Sequence, residues 1–469
     1  MKKNILLVWF TGLFLLGGCS DWLDVDSKTE ISADQLFENE RGFVVALNGI
    51  YSTLAGNSMY GGELTYGGIE ALSRGITTDK IVYQELRNYN YEYSSVKSFI
   101  SSIWEKSYNL IANCNEILAQ VDDKSDNFFT GNNYELIKGQ ALAMRAMLHF
   151  NIARFFAPLP GKANPTLLPY NEKITHIAGQ TLPTDQFMEK VIRDFTEAQK
   201  LLAVNDTLPD ARTEMKSYRF SYSTSSMKKY IGYRFNYYST TALLARAALW
   251  NGNKELAYEN ANLLIEKYSL DEKLVQFTTP SNINKGKCDR LFSEDILAGL
   301  YRQTEELTDA FNSISGVCYV ANYTSVFDPE EADLRKNLVE TMAGGNYRTY
   351  KYSATHFQNN RNYLIPMIRL SEMYYIIAEV IADTDLAKAT QQLDYVRKQR
   401  GVKTNLTIPS DKDSFIDLLI QEARRETLSE GQMFFYYKRL DYPVLDEKEG
   451  NQTLNEEFTF PIPEAESVG

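Results

Sequence analysis

The sequence predicts a mainly α-helical protein, in which tetratricopeptide-like helical hairpins form a curved scaffold with long irregular loop insertions and at most a few short strands. Between Leu370 and Ile381, apolar residues recur at offsets of 0, 3, 4, 7, 8 and 11, the spacing of one helix face. Small residues are concentrated in two adjacent segments: Ala242, Ala245, Ala248, Ala257 and Ala261. They permit close approach of two antiparallel helices. Similar pairs recur along the chain, which favours a helical-repeat scaffold.

The first eighteen residues have the features of a secretory signal peptide. Lys2 and Lys3 precede two short apolar runs, which are too short to span a bilayer. The runs end in Leu-Gly-Gly before Cys19, and this ending resembles a bacterial lipobox, in which the cysteine thiol is lipidated. We therefore expect residues 1–18 to be removed and Cys19 to carry a lipid anchor. The alternative is an ordinary signal peptide followed by an incidental cysteine.

The N-terminal region, 19–230, is expected to contain capped helices interrupted by loops. Ser32 and Gln35 form a capping-box pattern at the start of the first helix. Residues 56–95 are rich in glycine and tyrosine and weakly periodic, and we interpret them as long loops. Helices are predicted at 33–54, 99–118, 136–156 (ending before Pro158) and 184–202.

The C-terminal region, 231–469, contains the clearest helix pairs and is expected to form one compact unit with 19–230. Residues 213–238, between the regions, are polar and expected to loop outward. The predicted pairs are 240–250 with 256–268, 368–383 with 386–400, and 414–428 with 432–440.

The net charge is strongly acidic and argues against two classes of function. The full chain carries −12, and loss of Lys2 and Lys3 with the signal peptide gives −14. Nucleic-acid-binding proteins carry basic patches that neutralise phosphate, so nucleic acid is not an expected partner. The same charge disfavours a polybasic membrane-surface mode. The lipid on Cys19 alone is therefore expected to hold the protein at the membrane.

Cysteine and histidine are too sparse for the common metal and catalytic arrangements. Cys114 lies in an apolar helical pattern and is expected to be a buried thiol, whereas a Cys288–Cys318 disulfide is one open possibility. The three histidines form no HExxH, paired-histidine or Ser-His-Asp arrangement. The 31 tyrosines, by contrast, exceed what a core needs and favour a recognition surface.

Several segments, in order, resemble the SusD/RagB family of outer-membrane nutrient-uptake lipoproteins. The matching segments are the lipobox, 47–51, 104–115, 140–156, 368–397, 422–439 and 460–463. They cover nearly the whole mature chain. The chain departs from the family pattern by its early end after Pro463, and 56–95 and 280–365 match no family motif.

The resemblance implies a lipid-anchored binding protein at the outer membrane, facing the extracellular side. Family members cap a SusC-like TonB-dependent barrel and hand it an oligosaccharide or, in some members, a peptide. Such a barrel and such a ligand are therefore the implied partners, with no cofactor, no metal and no enzymatic activity. Two alternatives remain: a helical-repeat scaffold that binds a peptide or partner protein, and a glycoside hydrolase.

Ligand contact is expected in the two segments that match no family motif. Sugars stack their apolar C–H faces on aromatic rings, while polar side chains bind the hydroxyls. The first segment offers Asn88, Tyr89, Tyr91 and Tyr93, and the three rings would share one side if the segment is extended. The alternative interpretation is a half-buried strand or a core-packing loop.

The second segment offers two further groups of candidate residues. They are Phe311, Asn312, Tyr319, Asn322 and Tyr323, and then Tyr347, Arg348 and Tyr350. Trp104, by contrast, belongs to a helix motif of the family and is expected in the core.

Carboxylates near the C-terminal motifs have a catalytic and a structural interpretation. They are Glu372, Glu422, Glu426 and Glu430. Basic residues lie close by in sequence: Arg424, Arg425, Lys438 and Arg439. A pair of carboxylates could serve a glycosidase. We prefer an ion-pair network that holds the last hairpin, because paired carboxylates are easy to find among 61 acidic residues.

Overall fold

The computed structural model describes residues 32–159, 166–174, 181–217, 219–220, 231–283, 291–315, 318–349, 351–352 and 364–464. The predicted signal peptide 1–18, Cys19, His176, Cys288, Tyr350 and His356 lie outside the described residues. Most of the described chain is helical with a few short strands, which confirms the predicted fold class.

The helices are α1 (Ala33–Leu36), α2 (Glu40–Leu54), α3 (Gly68–Leu72), α4 (Ile81–Arg87), α5 (Ser94–Asp122), α6 (Asn133–Phe156), α7 (Thr184–Asp206), α8 (Pro209–Ser217), α9 (Tyr237–Trp250), α10 (Lys254–Asn262), α11 (Pro280–Ile283), α12 (Thr304–Ser315), α13 (Tyr323–Val326), α14 (Leu370–Ile381), α15 (Leu386–Gln399), α16 (Lys412–Glu426) and α17 (Met433–Leu440). Short 3₁₀ turns lie at Ser293–Asp295, Leu334–Leu338 and Glu456–Phe458. The strands are β1 (Ile76–Thr78), β2 (Leu168–Pro169), β3 (Thr181–Leu182), β4 (Ile296–Tyr301), β5 (Cys318–Val320), β6 (Val339–Thr341), β7 (Tyr347–Thr349) and β8 (Leu364–Arg369).

Helix α6 lies between α5 and α7 at the centre of the N-terminal region. Every residue from Gly139 to Phe156 is buried, because neighbouring elements cover the helix on all sides. Gly139 permits a close crossing with α7, since a Cβ at this position would lie 2.7 Å from Cγ of Leu202. The helix ends at Phe156, before Pro158, as predicted.

The α9–α10 hairpin confirms the interpretation of the small residues. All five alanines singled out in the sequence are fully buried, so the two helices pack closely. Gly252 adopts φ +75° in the turn between them, a conformation that glycine accepts at little cost. Helix α10 continues as a π-helical segment, Leu263–Asp271, and packs against α14, which in turn pairs with α15.

Residues 56–95 are more ordered than predicted. They contain α3, β1 and α4, preceded by a series of hydrogen-bonded turns that bury Tyr60, Leu64 and Tyr66. The glycines permit tight turns instead of an open loop. At Gly61, for example, a Cβ would lie only 2.0 Å from the carbonyl oxygen of Ala55.

The strands form four antiparallel pairs within the described parts of the chain: β1–β5, β2–β3, β4–β8 and β6–β7. The β1–β5 pair joins segments more than 200 residues apart and places Thr77 opposite Tyr319. In β8 every residue is buried, so the β4–β8 pair belongs to the interior.

One large hydrophobic core extends from Phe37 to Phe460 and includes Trp104, as expected. The division into regions 19–230 and 231–469 stays a prediction. In the part of the chain that the structure describes, no helix is both long enough and apolar enough to cross a membrane.

Candidate functional site

The first predicted ligand segment forms a helix end and a turn, and is not an extended strand. Helix α4 ends at Arg87, Tyr89 adopts φ +56°, and α5 begins at Ser94. Main-chain hydrogen bonds from Asn90 to Glu85, among others, close the turn. The expected alignment of the three tyrosine rings on one side is therefore absent, since it depended on an extended backbone.

Two of these tyrosines are anchored in the interior. The Tyr89 hydroxyl donates to the Leu72 carbonyl at 3.1 Å, and burial raises the pKa of Tyr89 to about 12. The Tyr91 hydroxyl donates to the carbonyl of Glu457, and its ring packs edge-on against Phe460 at 5.3 Å between centroids. The core-packing alternative thus describes both residues, although part of each remains exposed.

Tyr89 and Tyr91 nevertheless border a groove of about 970 Å³. Its other side is the C-terminal stretch 455–462. Asn88 and Tyr93 are exposed on the same turn, and the Tyr93 side chain retains 37% of its accessible area. This groove gives a ligand access to the turn at 88–93.

The second and third predicted groups come together in space. The rings of Tyr323 and Tyr347 stack at 4.0 Å between centroids with an interplanar angle of 19°. Strand β5 lies beside β7, so the backbone of Tyr319 lies near that of Tyr347. Arg348, next to Tyr347, donates to the Asn312 side-chain oxygen at 3.4 Å. We call the five residues of this paragraph the aromatic patch; all are partly or fully exposed.

A small hydrophobic cluster supports the aromatic patch from below. Val320, Val326, Phe327 and Leu428 are buried together, and Tyr323 and Tyr347 pack on them. Burial raises the pKa of Tyr323 above its ordinary value, so its hydroxyl stays neutral at physiological pH. Because both rings pack on this cluster, they are held in place before any ligand arrives.

Phe311 and Asn322 have structural roles. Phe311 is fully buried and packs against Tyr66 at 5.3 Å, so it belongs to the core. Asn322 adopts φ +55°, donates to the Leu445 carbonyl at 3.3 Å, and accepts from the Glu447 main-chain amide at 2.9 Å. Because the structure uses both ends of this amide, we leave Asn322 out of the aromatic patch.

The candidate catalytic carboxylates lie in a buried ion-pair network, as the preferred interpretation predicted. Arg335 donates to Glu422 at 3.0 Å and to Glu426 at 3.2 Å. Glu430 accepts from Arg369 and from Lys351, each at 2.7 Å. All three glutamates are at most 5% exposed. No substrate can reach these carboxylates without displacing the basic residues.

The partners in this network differ from those nearest in sequence. Of the four basic residues named from the sequence, Arg425 contacts Glu422. Arg439 pairs with Glu379, and Lys438 donates to the carbonyl oxygens of Arg154 and Ala157 at the end of α6. Arg424 donates to Gln421, and Glu372 pairs with Arg246 at 2.6 Å. Only the folded chain brings the other arginines to these glutamates.

We expect the free energy of unfolding to fall when pH drops below about 4.5. Burial alone would raise the pKa of Glu426, but Arg400 and Arg335 hold it below its ordinary value; Arg369 and Lys351 do the same for Glu430. A lowered folded-state pKa stabilises the fold above the unfolded-state pKa, and this contribution is lost as pH falls through the folded value.

Urea denaturation at about pH 7, 5 and 3.5 measures this loss. A Glu430→Gln variant removes one of the titrating groups and should show a shallower dependence on pH. A free energy of unfolding that stays constant between about pH 5 and 3.5 would contradict the expectation.

His149, the one histidine among the described residues, is also structural. Its Nδ1 lies 3.0 Å from the Arg145 carbonyl, and its Nε2 accepts from the Asn171 main-chain amide at 3.1 Å. Burial lowers its pKa well below the usual value, which keeps the ring neutral. His149 is therefore placed to support packing against Tyr170, on which it stacks at 3.9 Å.

Sequence reasoning missed two elements around the aromatic patch. Strand β1 supplies Thr77 opposite Tyr319, and its Ile-Thr-Thr sequence carries a β-branched signal that could have revealed it. Asp446 accepts hydrogen bonds from Arg74 at 2.8 Å and from Arg87, and so fixes the C-terminal loop to the residues after α3 and to the last residue of α4. No local sequence pattern predicts the contact of Asp446 with these two arginines.

Thiols and metal ligands add no further site in the described regions. Cys114 and Cys318 are buried free thiols, and burial raises the pKa of Cys318 to about 11. No group of three or more His, Cys, Asp or Glu side chains in these regions is arranged to hold a metal ion.

Two family models match the chain. One, described as "Starch-binding associating with outer membrane", matches residues 21–222, and the other, described as the SusD family, matches residues 300–462. Together they account for most of the sequence, including the α2 to α7 helices and the last two hairpins.

Curated relatives from Formosa agariphila are also similar. SusD-like protein P2 is 21% identical, with 99% of this chain and 97% of that protein covered. SusD-like protein P25 is 26% identical, but this chain spans only 38% of its length, and the match covers 43% of this chain.

Solved structures share the fold. A SusD superfamily protein from Bacteroides thetaiotaomicron has a TM-score of 0.70 at 19% identity, with 92% of this chain and 97% of that chain covered. A structure from Bacteroides vulgatus, described as a SusD-like carbohydrate-binding protein, has a TM-score of 0.69 at 17% identity, covering 92% and 96%. With both family models matched in order along one such fold, the chain belongs to the SusD/RagB family.

Proposed function

We propose that this protein is a cell-surface lipoprotein, anchored through Cys19, that binds an oligosaccharide and delivers it to a SusC-like TonB-dependent transporter in the outer membrane. Its family is described in terms of starch binding and the outer membrane, and a structural neighbour is described as carbohydrate-binding. The protein then acts by binding and handing over its ligand, without turnover.

The observation that carries the proposal is the preformed stack of Tyr323 and Tyr347. A sugar ring presents apolar C–H faces that pack well on an aromatic ring, and a fixed ring loses little entropy on binding. The small cluster under the patch holds both rings in this arrangement. The neighbouring strand β5 carries Tyr319 opposite Thr77 of β1.

Polar groups on the opposite face of β7 would bind a glycan that extends past the edge of the β6–β7 pair, since Arg348 follows Tyr347 and successive strand residues point to opposite faces. The Arg348 guanidinium is fixed 5.6 Å from the centre of the Phe311 ring and contacts Asn312. Guanidinium N–H groups donate and the amide both donates and accepts, so together they match the alternating donors and acceptors of sugar hydroxyls. This pairing of flat rings with fixed polar side chains supports a glycan more than an apolar peptide.

Substitution of either stacked tyrosine is expected to weaken glycan binding. Once an array of plant, host and microbial glycans has identified a ligand, Tyr323→Ala and Tyr347→Ala should each raise its dissociation constant at least about tenfold by calorimetry. Tyr258→Ala serves as the matched control, because Tyr258 is exposed on α10 and outside the patch.

Two results would count against this site. Unchanged affinity in both patch variants, with loss of affinity in Tyr91→Ala, would move the ligand to the groove beside 455–462. A peptide array that yields a ligand when the glycan array yields none would favour the peptide-binding alternative.

A further inference from the structure

The β6–β7 hairpin, which carries the Tyr347 ring, has two faces that differ in charge. Its strands pair residue by residue: Val339 with Thr349, Glu340 with Arg348, and Thr341 with Tyr347. Because successive strand residues point to opposite faces, Tyr347 shares its face with Val339, Thr341 and Thr349, none of which is charged. Val339 and Tyr347 both pack on the small hydrophobic cluster, in agreement with this assignment. The charged pair, Glu340 and Arg348, belongs to the other face.

Thr341 is the polar neighbour of the Tyr347 ring on the uncharged face. Directly opposed residues of an antiparallel pair have Cβ atoms about 4.5–5.5 Å apart, so the Thr341 side chain lies beside the base of this ring. Thr341 is exposed, and a hydroxyl both donates and accepts hydrogen bonds. A sugar that stacks on Tyr347 therefore finds a neutral hydrogen-bonding group next to the ring.

The surface around Tyr323, the other ring of the stack, is acidic. Asp328 and Glu330 follow α13 closely in the chain, and both are exposed. Thr324, the residue after Tyr323, donates to the Glu447 carboxylate at 3.3 Å. The faces of the tyrosine rings are themselves the negative part of the ring quadrupole. Both features disfavour a negative charge on a ligand at this position.

The basic side chains in the segments next to α13 already have partners or acidic neighbours. Lys336 donates to two main-chain carbonyl oxygens of the segment that follows α13. Arg425 forms an ion pair with Glu422. Lys448 has a glutamate on either side in the sequence. An acidic group on a sugar would have to compete with these partners for a positive charge.

We propose that the aromatic patch binds an uncharged sugar unit and discriminates against units that carry a carboxylate or sulfate group. The inference depends on the proposed function and specifies the class of glycan. An acidic unit stacked on either ring would lose water from its charge and find no cation on the ring face of the hairpin. A neutral unit avoids this cost, because its C–H face packs on the ring and its hydroxyls bond to Thr341. The Arg348 charge lies on the other face, directly opposite Glu340.

An array of neutral, uronic-acid and sulfated oligosaccharides, read at about 50 and 500 mM sodium chloride, tests the preference. The strongest signals should come from neutral oligosaccharides and should change less than about threefold between the two salt concentrations, because no ion pair forms. Strongest binding to acidic oligosaccharides, or a larger fall at high salt, would overturn the inference and leave the proposed function intact. The absence of any glycan signal would overturn both.

Substitutions of Thr341 assign the preference to the ring face. Thr341→Val removes the hydroxyl with little change in size and should raise the dissociation constant of a neutral glycan about three- to tenfold. Thr341→Lys places a cation beside the ring and should raise the signals of acidic oligosaccharides at low salt about tenfold. Thr213→Lys adds the same charge at an exposed position of α8, outside the patch, and should leave these signals unchanged. Equal signals of acidic oligosaccharides in the two lysine variants would contradict the assignment.

Discussion

Replacement of Arg335 by methionine is expected to lower the free energy of unfolding by about 3–5 kcal/mol. Arg335 is fully buried and contacts Asp333 at 2.7 Å in addition to Glu422 and Glu426. Its pKa is held well above the ordinary value, because the surrounding carboxylates more than offset the effect of burial. Methionine fills similar space but leaves these carboxylates short of one positive charge. Equilibrium urea denaturation measures the loss.

An exposed ion pair supplies the control for this experiment. Lys412 pairs with Asp383 at the surface, and its side chain is 49% exposed. Because solvent screens such pairs, Lys412→Met should change the free energy of unfolding by no more than about 1 kcal/mol. Similar losses in the two variants would show that the buried network contributes no more than a surface pair.

A second large effect is expected at the start of the last helix, where Gly431→Ala should cost about 2–5 kcal/mol. Gly431 adopts φ +68°, which an alanine accepts only with strain. A Cβ would also lie 2.3 Å from the Leu64 carbonyl oxygen and 2.8 Å from Cγ2 of Ile69. The main-chain amide of Gly431 donates to Glu70 at 2.8 Å, so the backbone cannot move away without losing this bond.

Gly252 separates the two causes of that loss. It adopts φ +75°, and a Cβ there would meet no atom within 4 Å. Gly252→Ala therefore reports the backbone strain alone, about 1–2 kcal/mol. If the free energy of unfolding falls no more in Gly431→Ala than in Gly252→Ala, the backbone at Leu64 moves away from the added Cβ at little cost. Urea denaturation of both variants in the same buffer makes the comparison.

The helical hairpins were predictable because their signals are local. The apolar stripe from Leu370 to Ile381 became α14, which lies within the predicted 368–383 and ends two residues earlier, and the alanines of α9 and α10 lie where the two helices touch. Ser32 caps α1 through the expected reciprocal bonds with Gln35. Each of these features depends on residues within a few positions of one another, so periodicity and capping rules suffice.

The turn around Tyr89 could not be predicted from local sequence signals. Tyrosines two positions apart are compatible with a strand or with a turn, and their sequence spacing does not distinguish the two. The contacts that hold this turn come from Leu72, Glu457 and Phe460, of which two are more than 360 residues away. Packing against distant chain therefore decided the conformation.

The amino-acid sequence by itself determined that the chain forms helical hairpins, belongs with the SusD/RagB proteins and places surplus tyrosine in its irregular segments. Only the tertiary structure decided that Tyr323 stacks on Tyr347. It also decided that the distant Arg335 forms ion pairs with Glu422 and Glu426. Arg369, also distant in sequence, forms one with Glu430. The physical reason is the range of the interactions. Helix periodicity arises between neighbours, whereas ring stacking and buried ion pairs require segments that meet only after the chain has folded.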